Sequence, residues 1–256
     1  MVMYRAFLLL MFSAFSIISF SQDIEPVVLI GDRPDQTESA YLVPKGYLQF
    51  ENGFMHETVN DRITNISYSS MLLRYGLFNH FELRLGTDYN QVKSSVSDDS
   101  KGFSPLSVGG KLHVTEEKDW MPQIAFIGQI DIASTGAVDF RQKYHSTKML
   151  LTFGHSLQNN LSIGYSIAVE FPENVNYTIG TYTFVAGYSI SDEIGTFIEV
   201  YGDFSKYMNA QNKFNGGVTY LIHPKLQLDF AGGFGLSQYA PNNYFSFGLI
   251  YLFKPV

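Results

Sequence analysis

The stretch from Lys225 to Phe253 constrains the fold of this chain most. Leu226, Leu228, Phe230, Phe234 and Leu236 fall on one face of an extended chain, whereas Gln227, Asp229, Ala231, Gly233 and Gly235 fall on the other. After a polar turn, Gln238 to Asn243, the residues Phe245, Phe247, Leu249, Tyr251 and Phe253 share one face, with Ser246 and Gly248 opposite. A period of two is the mark of a β-strand, because successive side chains point to opposite sides of the sheet. One face here is large and apolar; the other is polar or small. A soluble sheet must bury such a face under a second layer, as in a secreted β-sandwich, whereas a membrane barrel turns it to lipid around a polar lumen. The reading is all-β: a transmembrane antiparallel up-and-down β-barrel.

The amino terminus agrees with export. Arg5 precedes an apolar run from Ala6 to Phe20, and Ser19 and Ser21 occupy the −3 and −1 positions before Gln22. This is the layout of a secretory signal peptide, and the run is short for a membrane-spanning helix, which needs about 20 residues. No later stretch is continuously apolar over such a length, although 45% of residues are hydrophobic and the chain has 17 Tyr and 22 Phe. Alternation reconciles the two facts, since it dilutes apolar residues along the sequence. With no Cys, an exported chain must hold itself together through its own hydrogen bonds. The net charge of −7 becomes −8 once Arg5 is removed, which gives no support to a nucleic-acid partner. The expected division is residues 1–21 as signal peptide, 22–45 as a periplasmic or lumenal segment, and 46–256 as an outer-membrane barrel.

The chain repeats itself after residue 54. Apolar residues flank short polar turns at Phe78-Asn79-His80, Gln158-Asn159-Asn160, Ser191-Asp192-Glu193 and His223-Pro224-Lys225, and a fifth turn covers Glu116 to Asp119. Longer polar connections alternate with these at Lys93–Gly102, Ser134–Gln142, Pro172–Asn176 and Gln238–Asn243. Short periplasmic turns opposite longer outer loops are the barrel pattern. The spacing predicts about twelve strands, near 46–57, 63–76, 80–92, 104–115, 120–133, 144–157, 160–171, 177–190, 193–205, 211–222, 225–236 and 243–253. The strand near 63–76 is the least regular.

Alternation also assigns faces. Glu51, Arg74, Glu82, Arg84, Asp88, Lys111, His113, Gln129, Asp131, Lys148, Glu170, Glu199, Asp203, Lys213 and Asp229 point to the lumen. Leu83, Leu85, Val108, Leu112, Phe126, Met149, Leu151, Ile167, Ile198, Val200 and Val218 point to lipid, and Trp120, Tyr188, Tyr220 and Tyr251 suit the interfacial girdles. The lumen charges either satisfy one another or select a solute. An acidic surplus favours cations modestly, with Glu199 and Asp203 on one face of one strand as the leading candidates.

The segment Asp32-Arg33-Pro34-Asp35-Gln36-Thr37-Glu38-Ser39 is too polar and Pro-broken for a buried strand, and it leads into the strand of Tyr47 to Phe54. This DRPDQTES block and the VPKGYLQFENGF strand after it resemble the start of a bacterial outer-membrane family named for the MetA pathway of phenol degradation. The resemblance implies an outer-membrane barrel with a transport role, and only loosely a substrate. Position and polarity leave the block as a periplasmic cap, a lumen plug, or a contact for a partner or substrate.

The functional expectation is a channel or transporter for small solutes, hydrophobic or aromatic ones included, in the cell outer membrane. The competing readings are a structural or adhesive barrel and a lipid-modifying enzyme. Outer-membrane phospholipases need a His and a Ser two residues apart on one face; His145-Ser146 and His155-Ser156 are adjacent and so point to opposite faces. His56, His80, His113 and His223 lack metal-ligand spacing, so no metal, cofactor or catalytic residue is expected. The expected partners are outer-membrane lipid, a small-molecule solute and the barrel-assembly machinery, although Lys254-Pro255-Val256 after Phe253 departs from the usual terminal aromatic.

Overall fold

The computed structural model describes residues 29–173 and 175–255, so the signal-peptide expectation lies outside the described residues. Twelve strands form the wall: β1 (Leu48–Asn60), β2 (Ile63–Phe78), β3 (Phe81–Ser94), β5 (Leu106–Thr115), β6 (Gln123–Ile132), β7 (Ser146–Ser156), β8 (Leu161–Phe171), β9 (Ile179–Ser189), β10 (Ile194–Ser205), β11 (Met208–His223), β12 (Leu226–Gly235) and β13 (Asn243–Phe253). A thirteenth short strand, β4 (Ser100–Phe103), pairs only with the outer end of β3. All wall pairings are antiparallel between sequence neighbours, and β1 returns to β13 with Leu48 opposite Phe253. The sheet therefore closes and leaves no wall edge unpaired, which backbone polar groups in lipid require.

Why these residues form these strands is visible in their exposure. Leu83, Leu85, Val108, Leu112, Phe126, Met149, Leu151, Ile167, Ile198, Val200, Val218, Leu228, Phe230 and Phe247 are all exposed on the outer surface. Trp120, Tyr188 and Tyr220 stand exposed at or beside the turns of one end. The inward neighbours Gln49, Glu51, Arg74, Glu82, Lys111, Thr152, Glu199 and Asn215 are buried.

The turns at Asn79-His80 and Pro224-Lys225 are two residues long, and Asn159 and Asn160 both have positive φ, 61° and 63°, as a tight hairpin demands. On the opposite end the contrast in loop length is less uniform than the sequence suggests. The β1–β2 and β10–β11 connections there are also only two residues, Asp61-Arg62 and Lys206-Tyr207. The irregularity near 63–76 is a register shift between Ser67 and Ser69 against β3, matched by one between Gly53 and Met55 in β1. Tyr68 is left on the outside, at 41% exposure, next to the inward-facing Ser67.

The lumen is not polar throughout. Ile127, Leu150 and Ala168 form one buried apolar cluster, and Val185, Phe197 and Ala231 another. The inner face, read from the sequence as polar or small, thus also carries larger apolar side chains.

The plugged lumen as candidate functional site

The segment 29–45 enters and leaves the barrel at its short-turn, periplasmic end. Lys45 pairs in parallel with Gly76, and the Gly46 amide donates to the Gly76 carbonyl at 2.7 Å. Leu29 and Val43, on the two limbs of the excursion, pack with Tyr47, Ile250 and Leu252. The Asp32 carboxylate accepts the Ser39 amide at 3.0 Å, which folds the segment back on itself. The partners of this block are wall residues whose side chains face inward.

One side of the plug is ionic. Asp32 receives Arg84 at 2.6 Å, Lys111 at 2.9 Å and Arg74 at 3.1 Å. Arg74, fully buried, also binds Glu51 at 2.9 Å and Glu82 at 2.8 Å. Glu51 accepts the Asp32 amide and Glu82 the Val43 amide, while Glu38 is paired with Arg84 at 2.9 Å. Charges buried to this degree persist only when paired and hydrogen-bonded.

The other side is mostly neutral. The Gln36 amide donates to Glu199 at 2.9 Å, and Thr37 Oγ1 lies 2.7 Å from both Glu199 and Thr183 Oγ1. Thr183 continues to Ser166 at 2.7 Å, and the Thr152 hydroxyl donates to the Glu38 carbonyl. Arg33 reaches a third part of the wall, binding Asp229 at 2.9 Å. Its guanidinium lies over Gly53 and Gly248, cross-strand partners where an added Cβ would come within 2.1 and 2.5 Å of it. Glycine at both positions is what lets the arginine lie flat on the wall.

Seven carboxylates belong to this network, Asp32, Asp35, Glu38, Glu51, Glu82, Glu199 and Asp229, against the four cations Arg33, Arg74, Arg84 and Lys111. Among the described residues, five carboxylates have a cation and two, Asp35 and Glu199, have none. Burial pushes the Asp35 carboxyl well above the ordinary aspartate range, and neighbouring Glu199 adds to the rise. Burial also lifts Glu38, against the pull of Arg84. For Asp32, Arg74, Lys111 and Arg84 together outweigh burial and hold the carboxyl well below that range.

Beyond the plug, toward the longer loops, lies a cavity of ≈ 470 Å³ between its apex (Pro34, Asp35, Gln36) and the wall residues Ser67, Ser70, Asp88, Asn90, Tyr244 and Ser246. Phe140, from the short 3₁₀ turn Val138–Phe140, also reaches it. Thus Glu51, Arg74, Glu82, Arg84, Lys111, Glu199 and Asp229 meet the plug, whereas Asp88, Asp131, Glu170 and Asp203 stand outside its contacts. Asp88 accepts from Ser70 at 2.5 Å, Glu170 sits opposite Lys148 in register, and Asp131 opposite Ser146. Glu199 and Asp203, the leading candidates for cation preference, both have partners. Glu199 lies under Gln36 and Thr37, and Asp203 is bound to Lys213 at 2.8 Å. Among the described residues, no group of three or more His, Cys, Asp or Glu has a metal-holding arrangement.

A family model described as "Putative MetA-pathway of phenol degradation" matches residues 31–253, from the plug to the last strand. The chain belongs to this family. No curated protein matches the sequence. Among solved structures, an outer membrane channel from Pseudomonas putida F1 aligns with a TM-score of 0.68 at 12% identity, over 86% of this chain and 99% of that one. The NanC porin aligns at 0.56 and 8% identity over 80% and 98%, and the KdgM porin at 0.53 and 13% over 78% and 98%. At such identities the shared property is the closed barrel. With its apolar belt, it makes this family member an outer-membrane protein.

Proposed function

We propose that the protein is an outer-membrane channel for small solutes whose lumen is closed by its own amino-terminal segment. The observation that carries this reading is the plug's mode of attachment. It is joined to the wall chiefly by ion pairs and hydrogen bonds, with an apolar cluster at its periplasmic ends. Water and mobile ions can replace such contacts one at a time, so the plug is displaceable in a way that a packed apolar core is not. The family description and the channel and porin names of the similar structures support transport. The family description, which names phenol degradation, also supports aromatic or otherwise apolar compounds among the solutes. Transport, not catalysis, fits the wall. His155 and Ser156 are adjacent along β7, so that pair is split between the faces, and His145 lies just before the strand. Surrounding lipid and the assembly machinery that reads terminal strands complete the partners we assign.

Planar-bilayer recording on the purified, folded protein tests the channel. Wild type should open rarely, and deletion of residues 29–40 should give sustained larger openings from a barrel that still migrates as folded in unboiled gels. A deleted barrel that folds yet never conducts would turn the reading to a structural barrel. Phospholipid hydrolysis by the pure protein would turn it to an enzyme.

A further inference from the structure

The cavity above the plug has a chemistry that the closed lumen does not use. Its floor carries Asp35, a half-buried carboxylate with no cation partner among the described residues, and the next amide, that of Gln36, is already on Glu199. Two acidic groups thus meet at the plug apex without a countercharge, in a lumen where every other plug carboxylate has one. Arg33 borders the same cavity but is committed to Asp229. A second, independent observation lies on the wall. Ser67 is only 6% exposed, lines the cavity, and its hydroxyl has no hydrogen-bond partner. A buried hydroxyl left unpaired costs about 1–3 kcal/mol, so this is a position where a ligand gains by supplying a partner. Two aromatic rings, Phe140 from the outer loop and Tyr244 from β13, complete the walls.

We propose that this cavity binds a small organic cation, an ammonium group on an apolar or aromatic body. The ammonium sits against ionised Asp35, with Ser67 as a hydrogen-bond acceptor, and the body lies on Phe140 and Tyr244. Ring faces attract cations as well as apolar carbon, so both parts of such a molecule find a surface. Anions are disfavoured by Asp35 and by Asp88 across the cavity. Because the site lies on the outer side of the plug, a solute arriving from outside reaches it before the constriction. The inference rests on the channel reading for its purpose, though binding is measurable without transport.

The test is calorimetric titration of the folded full-length mature protein with benzylammonium, benzyl alcohol and benzoate, which share a ring and differ in charge, repeated at rising pH so that the preference is read once Asp35 is ionised. Benzylammonium should bind about tenfold or more tightly than benzyl alcohol, the size expected for a charged hydrogen-bonded contact, and benzoate not at all. Asp35→Asn should abolish the difference between amine and alcohol. Phe140→Ala, in an outer loop and outside the wall, should weaken both ligands alike. Equal binding of amine and alcohol to wild type, or an unchanged preference in Asp35→Asn, overturns the cation site. Solute flux is read separately in liposomes. Flux without charge preference removes the site and leaves the channel, whereas amine binding without flux leaves the site and removes the channel.

Discussion

Arg74 shows how much of the interior depends on single side chains. It is wholly buried, and it binds Asp32, Glu51 and Glu82 while donating to the carbonyls of Ile30 and Tyr41. Replacing it with Met leaves acidic groups facing one another without their cation, and breaking a buried pair costs about 3–5 kcal/mol. Arg74→Met is therefore expected to lower the urea midpoint of the folded barrel and to raise its open probability, both measurable on one preparation. A protein with wild-type midpoint and wild-type gating would show that Arg74 is dispensable. Asp35 gives a pH dependence. Its carboxyl is lifted well above 3.8, first by burial and then by Glu199, so the docked plug prefers the neutral acid. Docking weakens as pH rises above 3.8 and stops changing once Asp35 is ionised in both docked and free plug; Glu38, lifted above 4.5, adds in the same direction. Asp32, held low by its three cations, acts oppositely but only below 3.8. Open probability should accordingly climb as pH rises above 3.8, with a smaller rise in Asp35→Asn. A falling profile would contradict this. The inward direction of Arg74 was readable from strand parity, but its partnership with Asp32 was not. The plug has no periodicity, so nothing local says which wall residues it meets.

At the scale of the strand, alternation carries the information. Phe230 is exposed to the outside while Asp229 beside it is buried against Arg33. Phe230→Arg places a charge in the lipid belt at a cost of up to about 2–4 kcal/mol at midplane depth, and should sharply reduce folding yield into bilayers. Asp229→Asn should fold normally and loosen only the plug. Equal yields for the two variants would mean that the register is shifted by one residue. All twelve wall strands were legible in this way, because lipid on one side and water or polar groups on the other enforce a period of two. The inward apolar clusters were harder to see. Their one signal is a broken alternation, as in Ile124-Ala125-Phe126-Ile127 and Met149-Leu150-Leu151, where apolar residues occupy both faces. The short strand Ser100–Phe103 and the extension of β11 back to Met208 were missed for a different reason. Both lie at the outer rim, where strands project past the lipid and neither face has to be apolar.

Considered whole, the molecule is a ring with a segment of its own chain inside, and its lack of cysteine makes that arrangement easy to lock. Thr37 and Thr183 hydroxyls are 2.7 Å apart across the plug–wall contact. Thr37→Cys with Thr183→Cys should form a disulfide that suppresses openings until a thiol reductant restores them. Openings that persist in the oxidised protein would show that this plug contact does not gate the pore. The position of Arg33 carries a further consequence, for assembly order. Its guanidinium rests across Gly53 of the first wall strand and Gly248 of the last, and its ion pair is with Asp229, 196 residues away in sequence. Those two strands are the ones that must find each other at the end of synthesis, the slowest kind of meeting because the whole chain separates them. The full seat of Arg33, on both glycines and Asp229, therefore exists only where the first and last strands have met.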